Sequence, residues 1–180
     1  MNLAIKFFFT LCLLLLNSSQ AALATETSNQ AIKNLDGIRL VLLDVLVQAD
    51  ASTIKTQTIL AYAQSLIGIR YTAGGTLPDT GFDCSGFVRY VFNQAMKMQL
   101  PSTAKAMSAL GKTIPKDQLQ AGDLIFFNTL KNSFSHVGIY IGHDQFIHAP
   151  STGGVVRIDN VETAYWSTHF NGGQRLALGD

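Results

Sequence analysis

Charge is scarce in this chain: of its 180 residues only 14% are Asp, Glu, Lys or Arg, and 13 basic against 12 acidic side chains leave a net charge of +1. The basic residues are scattered without a stripe or cluster, which argues against a nucleic-acid partner. Cysteine is scarcer still, with only Cys12 and Cys84. Spanning apolar segments are missing as well. The uncharged run Phe7 to Leu16 covers ten residues, against the ~20 that a membrane-crossing helix needs, and the run from Leu40 to Val47 is broken by Asp44. No internal repeat or low-complexity tract is visible. What is abundant is apolar content, 47%, the composition of a globular protein with one core rather than of a disordered chain.

Part of that apolar content precedes the domain. Met1 to Ala24 carries one basic residue, Lys6, then the apolar run, then Asn17-Ser18-Ser19-Gln20 and small residues suited to cleavage after Ala21 or after Ala24. This is the pattern of a secretory signal peptide. Cys12 follows Phe9-Thr10-Leu11 and lacks the small residue that precedes a lipidated cysteine. The expectation is an exported protein, periplasmic or extracellular, with no stable membrane or lipid anchor. Cleavage would leave Cys84 as the only thiol, unable to join an internal disulfide. A lone thiol in an exported chain is an inert filler, an intermolecular link or a reactive group. Its neighbours Asp83, Ser85 and Gly86 favour the last.

Residues 25–55 read as an N-terminal segment, with a helix over Ala31 to Gln48 and a connection over Asp50 to Lys55. Residues 56–180 read as the main domain. Ile59, Leu60, Ala63, Leu66 and Ile67 give Thr56 to Ile67 helical spacing, stopped by Gly68. The glycines and proline of Ile69 to Phe82 predict a loop. A second helix begins beside Cys84 and runs to about Gln99, with Phe87, Val88, Val91, Phe92 and Ala95 on its inner face; Pro101 marks its end, and a short third helix covers Thr103 to Leu110. Beyond Gln120 the period changes. Asp123–Phe127, Val137–Ile141, Gln145–Ala149, Val155–Asp159 and Gln174–Leu178 are short runs rich in β-branched and aromatic residues between turns. Helices followed by consecutive strands predict an α+β domain with a mostly antiparallel sheet.

A cysteine opening a helix has a particular chemistry. Unsatisfied amides and the helix dipole favour a negative sulfur, and the Cys84 N–H is placed to meet an oxyanion, a role typically worth ~3 kcal/mol. Taken alone, Cys84 is as well explained as a space-filler behind an Asp83 cap. His136 shifts the balance: it starts a strand in Ser135-His136-Val137-Gly138, where glycine leaves room beside a ring able to take the thiol proton and later hand it to a leaving amine. His148 lies on the next strand, positioned to accept a hydrogen bond from His136 and orient it, although a lone histidine of this kind is more often a satisfied structural group. A zinc site built from Cys84, His136, His143 and His148 is disfavoured, because His143 falls in the hairpin turn Gly142-His143-Asp144 and the spacing matches no compact zinc pattern. His169, beside Trp166 and Phe170, reads as a surface or packing residue.

Taken in order, Gly68-Ile69-Arg70-Tyr71 with Gly74-Gly75, Phe82-Asp83-Cys84-Ser85-Gly86-Phe87-Val88, Leu100-Pro101, Gly122-Asp123-Leu124-Ile125-Phe126-Phe127, His136-Val137-Gly138-Ile139-Tyr140-Ile141-Gly142 and Phe146-Ile147-His148-Ala149 resemble the NlpC-type cell-wall cysteine endopeptidases, over about Ile59 to Leu178. Within that family the chain looks most like the small periplasmic murein endopeptidases. The resemblance implies a papain-like fold, N-terminal helices packed on a mostly antiparallel sheet, and an endopeptidase acting on peptidoglycan stem peptides or their cross-links without cofactor or metal. It implies Cys84 as nucleophile, His136 as base, His148 as orienting residue, Tyr71 as a hydroxyl at the oxyanion site, and Asp83 and Ser85 as contacts to the peptide. Asp123 is read as shaping a turn, not as catalytic. One departure concerns Ser102-Thr103-Ala104-Lys105-Ala106-Met107, where the family has arginine, a hydroxyl residue and glutamine after Leu-Pro; two polar contacts beside the groove are absent. A resting thiolate–imidazolium pair is expected to alkylate well below pH 8. The competing readings are a papain-like amidase or acyltransferase on another substrate and a catalytically silent wall-binding module; retention of Cys84, His136 and His148 argues against the second.

Overall fold

The computed structural model describes residues 30, 33–35, 37–45, 47, 51–129, 132–151 and 154–178. The signal segment read over Met1 to Ala24 lies outside them. The chain divides into two units, Met1–Asp50 and Ala51–Asp180. In the first, residues 33–35, 37–45 and 47 are helical and exposed, in agreement with the helix expected there; the other residues of that expected helix are outside the description.

The second unit opens with helix α1, residues 51–65. It starts earlier than expected, because residues 51–55, read as a connection, are helical. Ile59, Leu60, Ala63 and Leu66 lie at the spacing of one helical face and are buried. The stretch read as a loop contains a small antiparallel ribbon, β1 (Thr76–Leu77) and β2 (Gly81–Phe82). Helix α2 (Cys84–Met96) buries Phe87, Val88, Val91 and Phe92. It ends three residues before the expected Gln99, because Lys97 turns left-handed (φ 54°) and its N–H closes onto Asn93 and Phe92 carbonyls. Thr103 caps the four-residue α3 (Ala104–Met107) with its side chain on the Ala106 N–H.

The sheet has six antiparallel strands in the order β3-β8-β4-β5-β6-β7. These are β3 (Lys112–Ile114), β4 (Leu124–Phe127), β5 (His136–Gly142), β6 (Gln145–His148), β7 (Arg157–Asn160) and β8 (Phe170–Arg175). The hairpin between β5 and β6 turns on His143 and Asp144, both with positive φ, the pairing that matches strand twist in a two-residue link. Strand β8, expected over Gln174–Leu178, instead runs Phe170–Arg175 and inserts between β3 and β4. Its glycines, which read as a turn, are needed in the sheet: a Cβ on Gly173 would lie 2.6 Å from Leu119 Cδ2. Strand β3 and the short helix α4 (Ala164–His169) were not expected from the sequence.

Alternation along the strands creates two cores. Leu124, Phe126, Val137, Ile139 and Ile147 belong with the inner faces of α1 and α2 in one buried cluster. Ile125, Phe127, Tyr140 and Phe146 pack on the other face with Val161 and with Trp166 of α4. The architecture is the α+β arrangement expected, helices against an antiparallel sheet, and the cleft described next lies where α2 begins and β5 starts. Among the described residues no helix is long and apolar enough to cross a membrane.

Candidate active site

Cys84 is the first residue of α2, and its position follows from how that helix is capped. The Asp83 carboxylate Oδ1 accepts from the Gly86 N–H at 2.6 Å and from the Ser85 hydroxyl at 2.9 Å. The preceding loop is clamped onto the same end. Asp83 N–H donates to Gly75 O at 3.0 Å, and a Cβ on Gly86 would strike that carbonyl. The Gly74-Gly75 and Asp83-to-Gly86 motifs are thus two sides of one contact. Tyr71 is held by an N–H bond to Gly154 O at 2.8 Å and by a bridge to Phe82, which brings it beside the cysteine.

A single cleft is lined by Cys84, Tyr71 and His136, with Arg157, Tyr165 and Trp166 among its walls. The backbone N–H groups of Val137, the residue after His136, of Ser85 and of Cys84 itself act on the Cys84 sulfur to favour its negative form. His136 begins β5 and His148 ends β6. Their rings meet at 2.8 Å, His136 Nε2 to His148 Nδ1, leaving His136 Nδ1 as the nitrogen not engaged by His148. Gly138 permits this approach, since a Cβ there would fall 3.2 Å from His148 Cβ.

Two neighbours of the imidazoles were not anticipated. Asp159, on β7, places Oδ2 3.0 Å from His148 Nε2. The same carboxylate accepts from Arg157 Nε at 3.0 Å, Arg157 Nη2 at 2.9 Å and Trp166 Nε1 at 3.1 Å. Trp166 stacks on His136 with ring centroids 5.5 Å apart and meets His148 edge-on. The only trace of Asp159 in the sequence is an acidic residue closing an expected strand, and of Trp166 that it is the sole tryptophan.

Asp83 and Ser85 sit at the helix end with their polar groups turned to the fold: the buried Ser85 hydroxyl shares its one proton between Asp83 Oδ1 and Ser102 O, each at 2.9 Å. Asp123 is buried, bonds Gln120 N–H and takes a two-pronged ion pair from Arg175 at 2.8 Å, a turn-shaping role away from the cleft. His143 is exposed in its turn, and His169 donates to Tyr165 O at 2.7 Å.

Burial governs the titrating groups. It pushes the Cys84 thiol up, outweighing the N–H donors that pull it down. It pushes His136 down to about 3, helped by the neighbouring His148, and lowers His148 against the pull of Asp159. Desolvation opposes a charged form in each case and so works against the resting ion pair that the sequence suggested. Burial also raises Tyr71, as does its proximity to Cys84 and Asp83, keeping its hydroxyl a donor. The hydrogen bond from His148 and the Arg157 guanidinium hold Asp159 well below the usual carboxylate range.

The chain is 38% identical over 135 residues to the murein DD-endopeptidase MepH of Escherichia coli K12, an alignment covering 71% of this chain and 50% of MepH. It is 39% identical over 119 residues to the gamma-DL-glutamyl hydrolase of Bacillus subtilis, covering 66% and 29%. The chain thus spans about half or less of the length of these curated relatives. Among solved structures it is similar to the NlpC/p60 domain of the peptidoglycan hydrolase SagA, with 33% identity, a TM-score of 0.60, and coverage of 67% of this chain and 98% of that domain. An NlpC/P60 family protein from Bacillus cereus matches with 31% identity and a TM-score of 0.62, over 67% of this chain and 39% of that one. Residues 68–175, which carry Tyr71, Cys84, His136, His148 and Asp159, match the family model, and the chain belongs to the NlpC/P60 family.

Proposed function

We propose that this protein is a cysteine peptidase that hydrolyses amide bonds in peptidoglycan stem peptides or their cross-links. The observation that carries this reading is the meeting of Cys84, His136 and Tyr71 in one open cleft. Cys84 Sγ attacks the carbonyl carbon of the bound amide while its proton passes to His136 Nδ1. The negative oxygen that forms is met by the Cys84 backbone N–H and the Tyr71 hydroxyl, donors typically worth ~3 kcal/mol each in such sites. His136 then protonates the leaving amine, the C–N bond breaks, and a thioester remains on Cys84. Water, losing a proton to His136, attacks the thioester carbon; the C–S bond breaks, His136 returns that proton to the sulfur, and the product acid gives its remaining proton to solvent and leaves as a carboxylate.

The substrate class rests on the relatives, whose names cover both a murein DD-endopeptidase and a gamma-DL-glutamyl hydrolase, so the proposal is framed for stem-peptide amides as a group. Such a substrate lies outside the cytoplasm, in accord with the secretory pattern of Met1 to Ala24, and the proposal is of an exported enzyme, periplasmic or extracellular. The test is incubation of protein beginning after Ala24 with purified muropeptides, followed by separation of products. New free amino groups are expected with the native sequence and none with Cys84→Ala. Binding without turnover by both would favour a wall-binding module, and turnover by Cys84→Ala would remove the nucleophile from this account.

A further inference from the structure

A line of hydrogen bonds runs from Asp159 through both imidazoles toward the sulfur, and its direction is decided at the Asp159 end. An ionised carboxylate only accepts. The proton in the 3.0 Å contact between Asp159 Oδ2 and His148 Nε2 therefore belongs to the histidine. A neutral imidazole protonated on Nε2 has a bare Nδ1, so His148 accepts across the 2.8 Å contact and His136 donates from its own Nε2. His136 Nδ1 is then left with its lone pair. Were the line reversed, His136 would carry its proton on Nδ1 and have no lone pair for the thiol proton. Nothing in the His136–His148 contact itself selects between these directions.

We propose that Asp159 is a positioning residue of this site, setting the tautomer of His148 and through it that of His136, so that the base meets Cys84 with a lone pair. The inference rests on the reading of Cys84 and His136 as nucleophile and base. The groups facing Asp159 are suited to that task. Arg157 grips both carboxylate oxygens and Trp166 Nε1 donates to Oδ2, so every neighbour is a donor and the carboxylate stays ionised and fixed. Trp166 also stacks on His136, joining the carboxylate and the base through one rigid side chain. When the proton leaves Cys84 Sγ it bonds to His136 Nδ1; the positive charge is then eased through His148 by the carboxylate, and no proton has to reach Asp159.

The first test needs no turnover. In Cys84→Ala protein, where no thiol proton complicates the site, ¹⁵N NMR near neutral pH should show both His136 and His148 protonated on Nε2; adding Asp159→Leu should shift His136 toward the Nδ1-protonated form. In the active chain Asp159→Leu should lower kcat by about 10²- to 10⁴-fold with KM held within about threefold, the scale of a wrong-tautomer base, and Asp159→Glu should recover at least about tenfold over leucine. A proton on His136 Nδ1 in Cys84→Ala protein overturns the proposal even if no Asp159 variant folds. So does a loss of kcat with the ¹⁵N pattern unchanged, which would make Asp159 merely structural. Failure of the native enzyme to cleave muropeptides would count against the proposed function instead, while the NMR result would still decide the tautomer.

Discussion

Backbone N–H groups of Val137, Ser85 and Cys84 favour a negative Cys84 sulfur, while its surroundings remove it from water, and the second effect is the larger. His136 responds to the same burial in the opposite sense, with its value falling to about 3. The base therefore stays unprotonated through the range where an ordinary imidazole, with a value near 6.5, would have gained its proton. The acid limb of kcat/KM on muropeptides is expected well below pH 6; a limb centred near 6.5 would show that His136 is solvated like a surface histidine. Iodoacetamide alkylation should rise only through the ordinary thiol range, about pH 8.5 or above. A plateau already reached at pH 6 would show that attraction between thiolate and imidazolium outweighs their joint desolvation. At this scale the nucleophile and base were legible in the sequence, because a thiol flanked by an N-cap aspartate and a histidine beside a glycine are local patterns. The opposition of burial to charge on both groups was not, because burial is a property of the assembled fold.

Helix α2 presents the cysteine, and its first turn is tied down twice, by the Asp83 cap and by the Gly75 carbonyl lying against Gly86. Replacing the cap, Asp83→Ala, should cost about 1 kcal/mol, read as a lower midpoint in urea unfolding at unchanged slope. Gly86→Ala drives a Cβ into a backbone carbonyl that cannot retreat without pulling Asp83 N–H off its acceptor. It should therefore lower kcat more than Asp83→Ala does, because the loop that carries Tyr71 must shift; equal activity of the two proteins would argue that the loop contact is incidental. Helices α1, α2 and α3 were readable from apolar spacing and from caps, with ends within about five residues, whereas α4 was not. Strand β3 was not, since Lys112 and Thr113 are exposed, and β8 was read only at Gln174 and Arg175, because Asn171-Gly172-Gly173 looks like a turn until the close approach of Ile114 and Leu119 to Gly173 explains it.

Across the whole second unit, the two buried imidazoles couple stability to pH. Both are lowered in the fold, so below the ordinary histidine value of 6.5 the unfolded chain binds protons that the native chain refuses. Stability should fall as pH drops from 7 toward 4, since slope follows the excess of protons on the unfolded state. Asp159 adds little above about pH 5; its stabilisation is lost progressively below that, as the unfolded carboxylate takes up protons that the native one refuses. The measurement is the thermal midpoint against pH. The slope between pH 7 and 5 should be shallower for His136→Phe, and an identical slope would mean that His136 is not held neutral by the fold.

Composition, spacing and caps were enough to determine that the domain read over residues 56–180 combines helices with an antiparallel sheet, that Cys84 opens a helix, and that His136 and His148 stand on neighbouring strands, since each of these depends on residues close together along the chain. The order of the strands, the insertion of β8, the stacking of Trp166 on His136 and the arrival of Asp159 at His148 were decided by tertiary structure. The pairing of β6 with β7 sets Phe146 opposite Asp159 and His148 opposite Arg157, and a slip of one residue would turn the carboxylate to the other face of the sheet. Register of that kind is set by packing on both faces at once, which no local stretch of sequence contains.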